Sequence, residues 1–202
     1  MTKRWWLVVG AAIALAGVAG GTWWAVRGSD EGKVAARICG GSLPGSPAAA
    51  LLPKHDASRH TKMGTPISAK NPSPGVWCGL YGDKATLLFS YAADAETYRP
   101  EVGVGVAKAQ HDALLRLGQA RGLTSSSAAE LYLSCGGVPD VNNSSFRWLK
   151  VRVSLASGQA AVTGRQAEKY FAELVGDAAR HVSKKLGCKD AADLPEDTPG
   201  IG

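Results

Sequence analysis

The stretch Phe146-Arg147-Trp148-Leu149-Lys150-Val151-Arg152-Val153-Ser154-Leu155 decides how the rest of the chain is read. Leu149, Val151, Val153 and Leu155 fall on one side of a two-residue repeat, with Lys150 and Arg152 on the other, the pattern of a strand with one face in a core and one in water. That apolar face needs a cover. Arg165 to Leu186 supplies one, because Phe171, Leu174, Val175, Ala178, Val182 and Leu186 recur at helical steps while Glu168, Lys169, Glu173, Asp177, Arg180, Lys184 and Lys185 fill the remaining positions. Acids lie nearer the start of this helix and bases nearer its end, as the macrodipole favours, and Gly187 offers a stop.

Further strands extend the sheet toward the amino terminus. Ala129 to Cys135 places Leu131 and Leu133 on one face and Tyr132 on the other. Val76 to Tyr81 and Ala85 to Ala92 flank Gly82, Asp83 and Lys84 as a hairpin, with Leu87, Phe89 and Tyr91 on its larger apolar face. Between these pairs, Val102, Val104 and Val106 predict a short edge strand, and the spacing of Leu114, Leu115 and Leu117 predicts a helix over Ala107 to Leu117 that ends near Gly118 or Gly122. Val34 to Ile38 reads as a helix or turn leading to Cys39, Ala48 to Leu52 as one helical turn stopped by Pro53, and Lys54 to Pro74 as an aperiodic surface loop. The expected fold class is therefore α+β, an antiparallel sheet backed by a long C-terminal helix, with 34–189 as the domain and 190–202 as a mobile acidic tail.

The amino-terminal run Trp5 to Val26 carries no charge and is flanked by Lys3, Arg4 and Arg27. A helix over it would reach about 33 Å, against about 30 Å of bilayer hydrocarbon. Trp5 and Trp6 at one end and Trp23 and Trp24 at the other suit the two headgroup layers, so 1–27 is expected to be a transmembrane anchor, 28–33 a short linker and the lipid bilayer a partner. Ala19, Gly20 and Gly21 keep a cleaved signal peptide open as the competing reading. Gly17 and Gly21 have the spacing of a close helix pair and suggest a weak homodimer, although a segment rich in small residues contains that spacing by composition.

Cys39, Cys78, Cys135 and Cys188 are even in number, far apart and all beyond the apolar run. Two disulfides in an oxidising compartment fit them better than redox chemistry, which favours two close thiols. Of three connectivities the preferred one joins Cys39 to Cys78, tying the front section to the hairpin, and Cys135 to Cys188, tying a strand to the last helix. This orients the chain with its amino terminus cytoplasmic and its domain extracellular, as a single-pass protein of the cell membrane.

The net charge of +6 includes the three basic residues flanking the apolar run, so the 17 acidic residues are nearly balanced in the remainder and nucleic acid is not expected as a partner. The chain lacks a nucleophile elbow, a phosphate-binding loop, a paired-histidine zinc helix and a CxxC motif. His55 and His60 have no carboxylate or thiol at a metal-ligand spacing, and Gly40 to Gly45 does not follow a strand, so no metal, cofactor or catalytic set is expected. A non-enzymatic binding or envelope-associated module is the preferred function, using Lys54, Arg59, Lys62, Lys70, Trp77 and Tyr132, with Trp148 a further aromatic. Its ligand would be an envelope protein, cell wall or a small amphipathic molecule. The alternative is an extracytoplasmic enzyme built on dispersed polar groups such as Asp94, His111, Glu130 and His181.

Several short pieces add a resemblance: Cys39-Gly40-Gly41 ahead of Ala50-Leu51-Leu52-Pro53, Trp77-Cys78, Leu131-Tyr132-Leu133-Ser134-Cys135, and Leu186-Gly187-Cys188. In this order they resemble membrane-anchored or lipoprotein-like envelope proteins of high-GC Gram-positive bacteria, from which the chain departs by lacking a lipid-attachment cysteine at the end of the apolar run. The resemblance implies a helix-backed antiparallel sheet and no catalytic residues.

Overall fold

The computed structural model describes residues 34–54, 59–70, 74–94, 112–136, 148–191 and 194–202. In chain order these form β1 (Arg37–Ile38), β2 (Leu43–Pro44), α1 (Ser46–Leu51), β3 (His60–Met63), β4 (Gly75–Tyr81), β5 (Thr86–Asp94), β6 (Ala113–Leu117), β7 (Ala120–Thr124), β8 (Ala128–Ser134), β9 (Trp148–Ser157), α2 (Gly164–Leu186), a 3-10 turn (Lys189–Ala191) and β10 (Gly200–Ile201). One antiparallel sheet runs in the order β10-β6-β7-β8-β9-β5-β4-β3, while β1 and β2 pair separately. The alternation read in 146–155 is present in β9, where Leu149, Val151 and Val153 are buried and Arg152 is exposed. Helix α2 lies over β8 and β9 and also packs on α1 and β2. Its stripe from Phe171 to Leu186 is buried, including Leu174, Val175, Ala178 and Val182.

Both ends of α2 follow local chemistry. Gly187 takes φ 75°, and the N–H groups of Gly187 and Cys188 donate to the carbonyls of Lys184 and Ser183, closing the last turn in a Schellman arrangement. Lys184 and Lys185 occupy the last turn, as expected, but the first turn holds no acid. Buried Thr124 links β7 to this helix by donating from Oγ1 to the Glu168 carbonyl at 3.3 Å.

The two disulfides join Cys39 to Cys78 and Cys135 to Cys188, with Cα separations of 5.5 and 4.5 Å. The first ties the β1–β2 turn to β4, and the second ties the end of β8 to the end of α2. That first turn is a left-handed run, Cys39, Gly40 and Gly41 at φ 57°, 68° and 84°, which explains why a segment rich in glycine makes a tight hairpin rather than the expected helix or open turn.

Other expectations change as well. The loop expected over Lys54 to Pro74 contains edge strand β3, whose residues are all exposed, so no burial contrast marks it. The helix expected over Ala107 to Leu117 is replaced, within the described residues, by the hairpin β6–β7 turning at Gly118 (φ 57°). Leu115 and Leu117 point into the core, and Gly122, expected to end a helix, sits inside β7 where any Cβ would strike the Glu130 backbone. The expected mobile tail instead returns to the sheet. Gly200 and Ile201 pair with Arg116 and Leu115, Pro199 is buried against Gly176, and Arg180 donates to the carbonyls of Pro195 and Asp197 at 2.6 and 3.3 Å.

The transmembrane part of the expected fold class is corrected. Among the described residues no helix is long and apolar enough to cross a membrane, and the long helix that is present, α2, carries charges along one side that lipid would not solvate. Trp5, Trp6, Gly17, Gly21, Trp23 and Trp24 lie outside the described residues, as does the expected strand at Val102 to Val106. Membrane tethering, the lipid bilayer as a partner, and the single-pass location with a signal-anchor therefore find no support in the described residues. What stands is an α+β domain of one antiparallel sheet, a long C-terminal helix and two disulfides.

Candidate ligand-binding site

The residues expected to form a binding surface do not gather in one place. Lys54 and Lys70 are exposed in turns, and Lys62 is exposed on β3. Arg59 is half-buried and donates to the Pro53 carbonyl, so its guanidinium braces the loop behind α1. Trp77 is 1% exposed. A bulge in the β4–β5 ladder between Val76 and Cys78 turns Trp77 and Cys78 inward together, where the indole stacks on His181 of α2 at 5.3 Å and meets Phe89 edge-on at 6.0 Å. The Trp77 indole N–H and the Tyr91 hydroxyl are both buried without a hydrogen-bond partner, and burial raises the Tyr91 pKa. Burial also lowers the His181 pKa, with Lys185 adding to the shift.

Tyr132 lies on the face of the sheet away from α2, with Arg121 and Lys150 as its register neighbours on β7 and β9. It is only 6% exposed, and its hydroxyl donates to Glu130 Oε1 at 2.6 Å. The other Glu130 oxygen faces Arg152 Nη1 at 3.7 Å, directly across the β8–β9 ladder. Glu130 is thus held between a phenol and a guanidinium, its position fixed from two sides.

Glu130 and Arg152 border a cavity of about 420 Å³ at the β7–β8 turn. Asp112, just ahead of β6, stands on one side, with Glu130 and Arg152 on the other. Ser125 and Ser127 line the turn, and Leu123 and Ala128 give the cavity its apolar part. The turn is closed by the Ser125 N–H bonded to the Ala128 carbonyl at 2.8 Å, while Ser125 and Ser127 hydroxyls lie 3.5 Å apart. Two further recesses, of about 420 and 520 Å³, lie between α2 and the returning C-terminal chain. In the larger one Arg180 is already held by Asp177 Oδ1 at 2.8 Å and by two backbone carbonyls, whereas the cavity at the turn joins a fixed carboxylate to a guanidinium and two hydroxyls, so we take it as the candidate.

Of the polar residues considered for catalysis, Glu130 alone lines this cavity. His181 is on α2, on the opposite side of the sheet; Asp94 ends β5 beside Trp148; His111 lies outside the described residues. Asp112, Ser125, Ser127 and Arg152 were not foreseen as site residues. The run Thr124-Ser125-Ser126-Ser127 between apolar Leu123 and Ala128 was a legible signal of a hydroxyl-bearing turn, whereas reading β6 as a helix hid Asp112. Among the described residues no group of three or more histidine, cysteine or carboxylate side chains could hold a metal ion.

No family model, curated protein or solved structure matches the chain. The resemblance to envelope and lipoprotein-like proteins is corrected accordingly: it rested on short cysteine- and glycine-containing pieces, and the structure accounts for those by local geometry, namely the left-handed Cys39–Gly41 turn, the Trp77–Cys78 bulge and the Gly187 helix stop.

Proposed function

We propose that this chain is a disulfide-stapled, non-enzymatic binding domain whose cavity at the β7–β8 turn receives a small polar ligand. The observation that carries this reading is the Tyr132–Glu130–Arg152 array, a set of acceptors and donors held in fixed positions beside an open cavity. Such an array suits recognition, because orienting polar groups in advance lowers the cost of ordering them when a ligand arrives. Enzymatic use of the dispersed polar groups would need Glu130 and His181 to converge on one substrate, and the sheet stands between them. The disulfides support maturation under oxidising conditions.

The test is a nuclear magnetic resonance screen of the full chain against small compounds bearing ammonium, guanidinium, carboxylate, phosphate or polyol groups. Shifts confined to the amides of Ser125 to Glu130 and Arg152, for at least one class, are expected. If every class leaves those amides unmoved, the cavity is not a binding site and the reading falls.

A further inference from the structure

We infer that the ligand class is a saccharide ring, with an amino substituent favoured and a carboxylate disfavoured; this rests on the cavity being the binding site. A sugar ring presents two unlike surfaces. Its rim of hydroxyls calls for donors and acceptors side by side, and its C–H face calls for small apolar groups close to them. The cavity offers both. Glu130 and Asp112 accept, Arg152 donates, Ser125 and Ser127 do either, and Leu123 and Ala128 supply apolar contact. A purely anionic ligand would meet two carboxylates, and a purely apolar one would leave the buried side of Glu130 without compensation for lost water.

Charge sharpens the class. Glu130 faces Arg152, which is 48% exposed at its side chain, so that pair is close to neutral, and the Asp112 carboxylate remains as an excess negative charge at the mouth. An ammonium on the ring is therefore attracted and a carboxylate repelled, both weakened by solvent because the site is open.

The experiment titrates the isotope-labelled full chain at low salt with glucose, glucosamine, glucuronate and inorganic phosphate, following the amides of Ser125, Ser127 and Glu130. Glucose and glucosamine are expected to shift them, glucosamine about threefold more tightly, as an exposed ion pair allows, and glucuronate least. Asp112→Asn, which keeps an acceptor oxygen but removes the charge, should bring the glucosamine-to-glucose ratio to about one, the value for a lost charge attraction. Tightest binding by phosphate overturns the saccharide inference and leaves the cavity as a site, whereas tightest binding by glucuronate overturns the charge preference that is part of the inference. If none of the four probes shifts these amides, the saccharide inference also fails, while the broader compound screen still judges the cavity by itself.

Discussion

The two faces of the sheet are built to different rules. Toward α2, Leu131, Leu149, Val151 and Val153 are fully buried under Phe171, Leu174 and Val175, a closed interior of aliphatic and aromatic groups. On the other face the same strands carry Glu130, Tyr132, Lys150 and Arg152; Glu130 is held by Tyr132 and Arg152, and Glu130 and Arg152 border a cavity. One strand, β9, serves both, its alternate residues stabilising the fold and shaping the site. The difference teaches where a change should cost stability and where it should cost recognition, since burial of apolar area dominates folding while exposed ion pairs contribute little.

The sharpest way to break this division is Phe171→Ala. A fully buried phenylalanine replaced by alanine loses transfer energy and leaves a cavity, so about 3 to 5 kcal/mol of stability should disappear. Urea unfolding of the two proteins, at unchanged m-value, measures it. A cost under about 1 kcal/mol would mean that the helix-side face is not the seat of stability.

Next in size are the disulfides. Replacing Cys135 and Cys188 together with serine should cost about 2 to 4 kcal/mol, and so should replacing Cys39 and Cys78. Their sequence separations of 53 and 39 residues differ too little for loop entropy to separate them by more than about 0.3 kcal/mol. A much larger gap, read from thermal unfolding of the two double variants, would show that one staple holds native structure together rather than restricting the unfolded chain.

The helix-side face was also the legible one, and the reason is physical. Burial on one side writes a period into the sequence, so β9, α2, β8 and the β4–β5 hairpin could all be read from apolar spacing, and Gly187 marked the helix end. The preferred cysteine pairing followed from the same elements. Where burial is uniform the period vanishes, as in β3, which is exposed throughout; in β6 the alternation is masked because adjacent Leu114 and Leu115, which point to opposite faces of a strand, suggest helical spacing. The bulge at Val76–Cys78 could not be read either, because turning Trp77 and Cys78 inward together depends on the partner strand. The C-terminal chain looked mobile from its acids, prolines and glycines, yet its anchors are backbone carbonyls that accept from Arg180 and a proline seated on Gly176, contacts that composition does not encode. The site shared this fate. Glu130 and Tyr132 were singled out separately, but their bond depends on both projecting from the same face of β8, and Asp112 reaches the cavity only through the β6–β7 hairpin.

A third effect belongs to the seam between α2 and β4. His181 stacks on buried Trp77, with Lys185 one turn along α2, and both burial and that ammonium lower its pKa. The folded protein therefore binds this proton less readily than the unfolded chain, whose histidine titrates near 6.5. The contribution is fully present above about pH 6.5 and is lost as pH falls through the lowered folded value. Glu173, also on α2, has its pKa raised by burial and by Asp177, which acts in the opposite sense: its contribution fades as pH rises through the carboxylate range. Urea midpoints should fall from about pH 7 to about pH 5, and His181→Gln should flatten that fall relative to the parent. An unchanged slope in the variant would remove His181 as the cause.

The smallest stability effect is expected on the polar face, and it is the most informative about function. Arg152→Ala removes an ion pair whose arginine side chain is 48% exposed, so only about 0.2 to 1 kcal/mol should be lost. Glu130 keeps the Tyr132 hydroxyl at 2.6 Å, which holds its carboxylate in place. The cavity nevertheless loses the guanidinium that donates at its rim, so glucose and glucosamine shifts at Ser125 and Ser127 should weaken several-fold while the unfolding midpoint barely moves. The opposite outcome, a large drop in stability with ligand response intact, would make Arg152 part of the structural framework and erase the division between the two faces.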